Sequence, residues 1–341
     1  MRTRPRTFTH LAVTAAAAAV LATAACGESG SSGTGGNAQA SGSAGGSGGD
    51  TCAPVPGDQL VVLEDDQQLQ NADNIIPAVN AQAAAANPAL VETLNAVSAE
   101  LTTEQLIEMN AAVDVERQSA EDVAAAYVAD NGLDSGSGGS GAVVVGAADF
   151  TESQVLANVY ADALTAAGFQ ASVQTVGNRE LYLPALQRGE IQAFPEYLAT
   201  VADILNEQVT PGADPIASGD AEATAAALEP IAEQAGLVFG EPAEAADQNA
   251  FAVTTEFADA LGVSTLSELA EACGDGSLLL GGPGECPTRP QCQPGLEDTY
   301  GLEFAGFSEY DAGGPLTKAA IQQGEVSIGL VFSSDGALAQ G

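Results

Sequence analysis

From Ala142 onward the sequence alternates short apolar runs with stretches of helical periodicity. The apolar runs AVVVG, QASVQTV and IQAFPEY are separated by a predicted helix over 151–167 and a second one around 179–188. Strands that alternate with helices in this way are joined by crossover connections, which place the strands side by side in one sheet. The pattern therefore predicts an α/β fold.

The predicted helix over 151–167 has an apolar face and is expected to end at Gly168. Thr151 and Gln154 have the spacing of a capping box, in which each of the two residues satisfies a free backbone N–H of the other. We expect this pair to form the start of the helix.

A short internal repeat concerns the whole architecture. PALQRGEIQAFPEY from Pro184 recurs in outline as KAAIQQGEVSIGLVFS from Lys318. Each segment combines a helix end, a glycine turn at Gly189 or Gly324, an acidic residue and a strand. The repeat predicts two lobes of similar construction, and ligand sites in such folds lie at strand ends and helix N-termini between lobes.

The N-terminal end has the order of charged, apolar and small residues that is typical of a signal peptide. Three arginines precede an apolar run over 11–22, and the sequence TAAC follows. Ala24, Ala25 and Cys26 resemble the lipobox of bacterial lipoproteins, in which the cysteine is acylated, although Thr23 stands where Leu is usual. The alternative is an ordinary secreted protein.

Residues after Cys26 are almost wholly Gly, Ser, Ala and Asn up to Asp50. Such a segment has too few apolar side chains to fold and is expected to be a flexible tether. We therefore predict a folded part on the extracytoplasmic face of the cell membrane, attached through a lipid.

The composition excludes several kinds of chemistry. The one histidine, His10, lies in the predicted signal peptide, which excludes mechanisms that need an imidazole. Once the peptide is removed, five basic residues remain against 46 acidic ones, so nucleic acid is not expected as a partner. A cationic ligand would be attracted, although such acidity also serves solubility or salt adaptation.

Six segments of the chain resemble the substrate-binding proteins of osmoprotectant ABC importers, the choline and glycine betaine binding family. They are VVVGAADFTESQVLANVYADALTAAGF, LPALQRGEIQAFPEYLAT, DQNAFAVTTEFA, GGPGECPTRPQCQPGLEDTYGL, DAGGPLTKAAIQQGEVSIGLVFSSDGALA and LVVLEDDQQLQNADNIIPAV. The resemblance implies a two-lobed periplasmic-binding-protein-like fold of type II. It also implies a monomer without cofactor, metal or enzymatic activity, which delivers a small solute to an ABC permease and its ATPase subunit.

The order of these segments differs from that of the family, in which LVVLEDD follows SSDG. The chain therefore resembles a circular permutant in which the Gly/Ser tract at 135–141 joins the former ends. Permutation is tolerated where chain ends lie close together. We expect the LVVLEDD strand to lie beside the sheet that begins with the strand at 143–145; the alternative is two unrelated domains with a linker. The predicted segments are signal peptide 1–25, tether 26–51, family C-terminal portion completing the first lobe 52–134, linker 135–141, first lobe 142–248 and second lobe 249–341.

Four cysteines remain besides Cys26, an even number that favours disulfides outside the cytoplasm. Cys286 and Cys292 lie in one Pro-rich loop, whereas a strand separates Cys273 from Cys286. A strand of about six residues spans nearly 20 Å, which exceeds the reach of a disulfide. Because the permuted order places Cys52 beside the second lobe, we expect Cys52–Cys273 and Cys286–Cys292, the other two pairings remaining open.

The resemblance also implies ligand-binding residues. A quaternary ammonium is recognised by aromatic faces and negative charge, and Tyr197 and Thr200 match the tyrosine and threonine of the family motif YPEYTGT. The N-terminus of the helix at Thr151 would suit a carboxylate or hydroxyl, and Arg289 could bind a carboxylate through two hydrogen bonds. Further candidates are Phe150, Gln154, Tyr182, Asn249, Phe251, Phe332, Asp311 and Asn74. The last two, with Asn249, could equally cap turns.

Two other functions remain open at this point. The same scaffold could bind another small solute, such as a polyol or a different betaine-like compound. A glycosidase-like enzyme could use paired carboxylates without any histidine, for which Glu152, Glu196 and Asp311 are available.

Overall fold

The computed structural model describes residues 52–340. The predicted signal peptide, the lipidation cysteine Cys26 and the tether lie outside the described residues. The strands of the described part are β1 (Leu60–Leu63), β2 (Ile75–Asn80), β3 (Ala142–Ala147), β4 (Gln170–Thr175), β5 (Ala193–Tyr197), β6 (Leu237–Phe239), β7 (Asn249–Thr254), β8 (Leu278–Gly282), β9 (Phe304–Glu309) and β10 (Ile328–Phe332).

Helices pack around these strands, and eight of the twelve in the described part precede β7. They are α1 (Ala81–Ala86), α2 (Ala89–Glu100), α3 (Thr103–Asp114), α4 (Ala120–Asp130), α5 (Thr151–Ala166), α6 (Arg179–Gln187), α7 (Leu198–Val209), α8 (Ala221–Ala235), α9 (Thr255–Leu261), α10 (Leu266–Cys273), α11 (Gln293–Gly295) and α12 (Pro315–Gln322). Among the described residues, no helix is long and apolar enough to cross a membrane.

The strands form two five-stranded sheets with the same construction. One sheet, which defines the first lobe, has the order β4-β3-β5-β2-β6, and the other, which defines the second lobe, has the order β9-β8-β10-β7-β1. In each sheet a parallel pair at one edge is followed by a third strand parallel to it and then by an antiparallel strand. The predicted α/β class is confirmed.

The internal repeat falls on equivalent elements of the two lobes. Its strands are β5 and β10, each of which occupies the middle of its sheet. Both glycines of the repeat adopt the left-handed backbone that a side chain disfavours, with φ of +73° at Gly189 and +70° at Gly324. Short as the repeat is, it therefore marks the corresponding crossover unit of each lobe.

The position of β1 corrects one expectation. We expected LVVLEDD beside the sheet that begins with the strand at 143–145, but β1 pairs with β7 in the sheet of the second lobe, where Leu60 lies opposite Thr254 and Leu63 opposite Phe251. Leu60 and Leu63 are buried in the cores of that lobe. The chain enters the first lobe only with β2, whose six residues are all buried between β5 and β6.

Helix α5 occupies the core of the first lobe, but its start differs from the predicted capping box. Its N-cap is Phe150, and Thr151 already belongs to the helix. The Thr151 hydroxyl donates instead to Asp114 Oδ1 at 2.8 Å. Ser153 Oγ accepts from the Ala148 N–H at 2.8 Å and stabilises the turn between β3 and the helix.

Two disulfides stabilise the second lobe. Cys52 is joined to Cys273 and Cys286 is joined to Cys292, which is the pairing that we expected from the sequence. All four cysteines are buried in the core of this lobe. The first disulfide therefore attaches the beginning of the described chain covalently to α10.

Segments 64–74 and 240–248 carry the chain between the lobes and contact each other on the way. The Asp247 N–H donates to the Asp73 carbonyl oxygen at 3.1 Å, and Asn74 forms an antiparallel bridge with Ala246. The last segment of the described chain, from Gly336, returns from β10 to α3, where a side chain at Gly336 would stand 2.5 Å from the Ala111 nitrogen. We call 64–74 and 240–248 the crossing segments.

Candidate functional site

Two adjoining cavities lie next to the crossing segments, the first against the first lobe and the second between the two lobes. The aromatic cavity, of about 430 Å³, is lined by Asp73, Ala148, Asp149, Phe150, Asn178, Arg179, Tyr182, Phe194, Tyr197, Thr200 and Asp247. The polar cavity, of about 480 Å³, is lined by Gln70, Asn71, Asp73, Ala199, Thr200, Asp203, Ile204, Asp247, Gln248, Asn249, Arg289, Gln291 and Phe332. Asp73, Thr200 and Asp247 belong to both and form their common wall.

Aromatic rings form one side of the aromatic cavity. The Phe150 and Tyr197 ring centroids are 6.3 Å apart and inclined by 32°. Tyr182 stacks on Phe194 with centroids 3.7 Å apart. Phe150 is 45% exposed although it is a large apolar residue. The cavity thus offers ring faces to a ligand, and the ring of Phe150 is partly open to solvent.

The Tyr197 hydroxyl is directed to a partner inside the first lobe. It donates to Glu152 Oε1 at 2.7 Å, while Glu152 Oε2 accepts from Asn110 Nδ2 at 2.6 Å. Asn110 Nδ2 also donates to the Ser334 carbonyl oxygen at 2.9 Å, in the segment that follows β10. Burial raises the pKa of Glu152, and it raises the pKa of Tyr197 as well. This network fixes the ring of Tyr197 and links it to the returning chain.

Arg179 begins α6 and is paired with an acidic residue of β5. Its Nη2 lies 3.0 Å from Glu196 Oε2, and the Glu196 side chain is fully buried. The guanidinium carbon also stands 5.8 Å from the centroid of the Tyr182 ring. Arg179, the one basic side chain among the described residues that line the aromatic cavity, is therefore already neutralised by a carboxylate.

Asp73 and Asp247 occupy equivalent positions on the two crossing segments, each two residues before a strand. The Asp73 carboxylate accepts from the Thr200 N–H at 2.8 Å and from the Thr200 hydroxyl at 2.6 Å. Burial raises the pKa of Asp73, although its hydrogen bonds with Thr200 act in the opposite direction. Burial and the nearby Glu152 raise the pKa of Asp247 to about 8. Negative charge at the common wall is thus costly without a cation.

Seven of the predicted ligand residues line these cavities. Phe150, Tyr182, Tyr197 and Thr200 line the aromatic cavity, and Asn249, Arg289 and Phe332 line the polar cavity. They come from both lobes: the first four belong to the first lobe, and the last three to the second. Phe332, like Phe150, is exposed.

The remaining predicted ligand residues lie elsewhere. Thr151 and Gln154 line a separate cavity of about 300 Å³ with Ser119 and Asn158, because the helix carries them past the turn that faces the cleft. Phe251 is 1% exposed, since it lies in the middle of β7 between β1 and β10, and it belongs to the core of the second lobe.

Asp311 and Asn74 have the structural roles that we considered as alternatives. Asp311 caps α12, where its carboxylate accepts from the backbone N–H groups of Leu316 and Thr317 at 3.0 and 2.9 Å. Asn74 Nδ2 donates to the Ala243 carbonyl oxygen at 2.8 Å and so holds the two crossing segments together.

Three charged residues of the site were not predicted from the sequence: Asp73, Asp247 and Arg179. A signal for the first two existed. Two similar tripeptides, Ala-Asp-Asn at 72–74 and Ala-Asp-Gln at 246–248, stand immediately before β2 and β7. The two tripeptides can be recognised as equivalent only when β2 and β7 are known to occupy the same position in their two sheets. Within residues 52–340 no cluster of three or more His, Cys, Asp or Glu side chains has the arrangement of a metal site.

Most of the described chain is matched by a model of a known protein family. A family model described as the substrate binding domain of the ABC-type glycine betaine transport system matches residues 53–130 and 141–340. Among solved structures, one described as "Crystal structure of glycine betaine/carnitine/choline ABC transporter" is 19% identical, with a TM-score of 0.44. That alignment covers 58% of this chain and 71% of the other.

The family match extends over both sheets and over both cavities, and it is interrupted only around the Gly/Ser tract. The architecture consists of two α/β lobes, each built on one five-stranded sheet. The chain belongs to the family of substrate-binding domains of ABC-type glycine betaine transport systems.

Proposed function

We propose that the protein captures a quaternary-ammonium osmoprotectant, such as glycine betaine or choline, between its two lobes and delivers it to an ABC permease with its ATPase subunit. The observation that carries this proposal is the composition of the aromatic cavity. Ring faces of Phe150, Tyr182 and Tyr197 surround the same space as the carboxylates of Asp73 and Asp247. A methylated ammonium donates no conventional hydrogen bond, and it is bound by aromatic faces and negative charge.

The dimensions and the exposed rings support a small ligand. The volume of about 430 Å³ lies in the range of small-molecule sites. Phe150 on the first lobe and Phe332 on the second are 45% and 38% exposed, although each lines one of the cavities. A ligand that brings the lobes together would remove both rings from water, which favours binding by burial of apolar area.

Calorimetric titration of the full chain tests the proposal. We expect choline or glycine betaine to bind with a 1:1 stoichiometry, and sorbitol, an uncharged polyol of similar size, not to bind. Tyr197→Ala should weaken binding, whereas Tyr310→Ala, which removes an aromatic ring outside both cavities, should not. Tight binding of sorbitol, or no binding of any quaternary ammonium, would contradict the proposal.

No observation in the described part of the chain favours a glycosidase-like enzyme. Glu196 is paired with Arg179, and Asp311 caps α12. Glu152 holds the Tyr197 hydroxyl instead of facing open space. The family consists of transport proteins, in agreement with a function in binding.

Attachment to the membrane is part of the proposal and depends on the sequence around Cys26. We expect palmitate labelling of the protein in a bacterial host, and loss of both the label and the membrane fraction in Cys26→Ala. Cys286→Ala provides the control, because it also removes a cysteine but leaves the lipobox unchanged. Membrane association that persists in Cys26→Ala would refute the lipid anchor.

Circular permutation is also proposed, on two observations. The family match is divided at residues 131–140, which include most of the Gly/Ser tract. Leu338, near the end of the chain, packs against the cluster that contains Leu60, so the two ends to be rejoined are close. A chain that begins at Ala142, runs to Gly341 and continues with residues 52–134, so that Cys52 can still pair with Cys273, should fold and bind the same ligand with similar affinity. Failure of this rearranged chain to fold, while a chain shortened only in the tract folds, would refute the permutation.

A further inference from the structure

The first observation concerns the anion position of the aromatic cavity. Helix α7 begins at Leu198, so Thr200 belongs to its first turn, where backbone N–H groups have no partner within the helix. Such a turn, together with the threonine hydroxyl, is a suitable place for the carboxylate of a ligand. Here both donors of Thr200 are already bound to the Asp73 carboxylate, at 2.8 and 2.6 Å. The protein supplies its own carboxylate at this position.

The second observation concerns the remaining positive charge. Among the described residues that line the aromatic cavity, Arg179 is the one basic side chain, and it is paired with the buried Glu196. Arg289 lines the polar cavity, beyond the common wall. A ligand carboxylate in the aromatic cavity would therefore lie close to Asp73 and Asp247, and it would have to pass both to reach Arg289.

The third observation is a carboxylate oxygen without a partner. Asp247 Oδ1 is buried and makes no hydrogen bond within the described structure. Its residue belongs to the common wall, so two carboxyl groups from the crossing segments face the ligand space. The energetic cost of this arrangement is offset when a cation enters, and it increases when an anion enters.

We propose that Asp73 is a specificity-determining residue, which occupies the anion position of the cavity and so selects a quaternary ammonium without a carboxylate, of the choline type, over a zwitterionic betaine. The inference rests on the proposed function, since it presupposes that the aromatic cavity binds quaternary ammonium compounds. It goes further by naming the class of ligand and the side chain that sets the selection.

The test is calorimetric titration of the full chain with choline, tetramethylammonium and glycine betaine. Tetramethylammonium carries the ammonium alone, so it separates cation binding from contacts of the other end of the ligand. We expect the wild type to bind glycine betaine at least about tenfold more weakly than choline, since one ligand carboxylate must displace or face Asp73. In Asp73→Asn this ratio should fall by about tenfold or more, because an amide can still accept from Thr200 but does not repel a ligand carboxylate.

Asp220→Asn is the matched control. Asp220 is also an aspartate at a helix N-terminus, where its Oδ1 accepts from the Ala223 N–H at 3.0 Å, and it lines neither cavity. The control should leave the choline to betaine ratio of the wild type unchanged. Circular dichroism and the urea midpoint identify a variant that fails to fold, and Asp73→Ser, which keeps a side-chain acceptor, then replaces Asp73→Asn.

The outcomes separate the two proposals. If choline and glycine betaine bind the wild type equally tightly, or if Asp73→Asn weakens both by the same factor, the role of Asp73 is refuted while the proposed function stands. If none of the three compounds binds the wild type, the proposed function fails, and the inference fails with it. A wild-type preference for choline that Asp73→Asn reduces supports both.

Discussion

The two parts of the Tyr197 side chain have different tasks, and two substitutions separate them. The hydroxyl donates to the buried Glu152 carboxylate, whereas the ring faces the aromatic cavity. Tyr197→Phe removes the first contact and keeps the second. Tyr197→Ala removes both and leaves a void beside Phe150.

The expected magnitudes follow from these contacts. A hydrogen bond to a buried charged group contributes about 1.5–3 kcal/mol to the free energy of unfolding, so Tyr197→Phe should lower stability by that amount. Its ring face is unchanged, and ligand affinity should stay within about threefold of the wild type. In Tyr197→Ala, stability should fall by about 3–5 kcal/mol, and the lost ring face should weaken binding of choline about 10-fold or more.

Urea unfolding monitored by circular dichroism gives the stabilities, and calorimetric titration with choline gives the affinities. Tyr300→Phe is a matched control, because the Tyr300 hydroxyl also donates to a carboxylate, that of Asp65, but the residue lines neither cavity. The control should lose stability and keep its affinity. The reasoning is refuted if Tyr197→Phe keeps full stability yet binds choline as weakly as Tyr197→Ala, since the hydroxyl would then contact the ligand.

Three further predictions concern charge and covalent links. Arg179→Ala should lower the free energy of unfolding by about 3–5 kcal/mol, because it leaves the fully buried Glu196 carboxylate unpaired. Arg188→Ala, which removes an exposed ion pair with Glu190, should change it little, and equal urea midpoints for the two variants would contradict this. Choline affinity should rise as the pH is raised from 6 to 9, because Asp247, which has a pKa of about 8 beside Glu152, Asp73 and Asp335, must lose its proton before it attracts the cation. A choline affinity that does not change with pH in the wild type, or one that changes equally in Asp247→Asn, would disprove this link. The double variant Cys52→Ser, Cys273→Ser should lower the free energy of unfolding by about 5 kcal/mol, because that disulfide closes a loop of 221 residues. Removal of the disulfide between Cys286 and Cys292, which closes a loop of 6 residues, should cost about half as much, and a larger loss of urea stability for this second variant would refute the estimate.

Local patterns predicted much of the first lobe. The apolar runs AVVVG, QASVQTV and IQAFPEY are β3, β4 and β5, and the helices between them end within two residues of the predicted positions. These elements are determined by periodicity and by glycines such as Gly168, which has a φ of +106°. The start of α5 was not predictable in this way, because Phe150 has no capping side chain and the turn is held by Ser153.

The placement of β1 depended on contacts distant in sequence. Its burial pattern is compatible with either sheet, and what decides between them is the free edge of β7, almost 190 residues further along the chain. The same limit applies to the site. Tyr197 and Thr200 belong to a recognisable motif, but the bonds from Thr200 to Asp73 join residues that are 127 positions apart. The similar tripeptides around Asp73 and Asp247 gain meaning only once the positions of β2 and β7 in their sheets are known.

The disulfide between Cys52 and α10 has a mechanical consequence. Any load that reaches the described part through its N-terminal end enters at Cys52, and the covalent bond passes it to Cys273 in the core of the second lobe. Within residues 52–340, the first lobe is connected to that point through the crossing segments and the returning end of the chain. In a receptor held at a surface by its N-terminal end, the second lobe would be fixed to the anchor. The first lobe, with Phe150 and Tyr197, would be the one that moves when the cleft opens or closes.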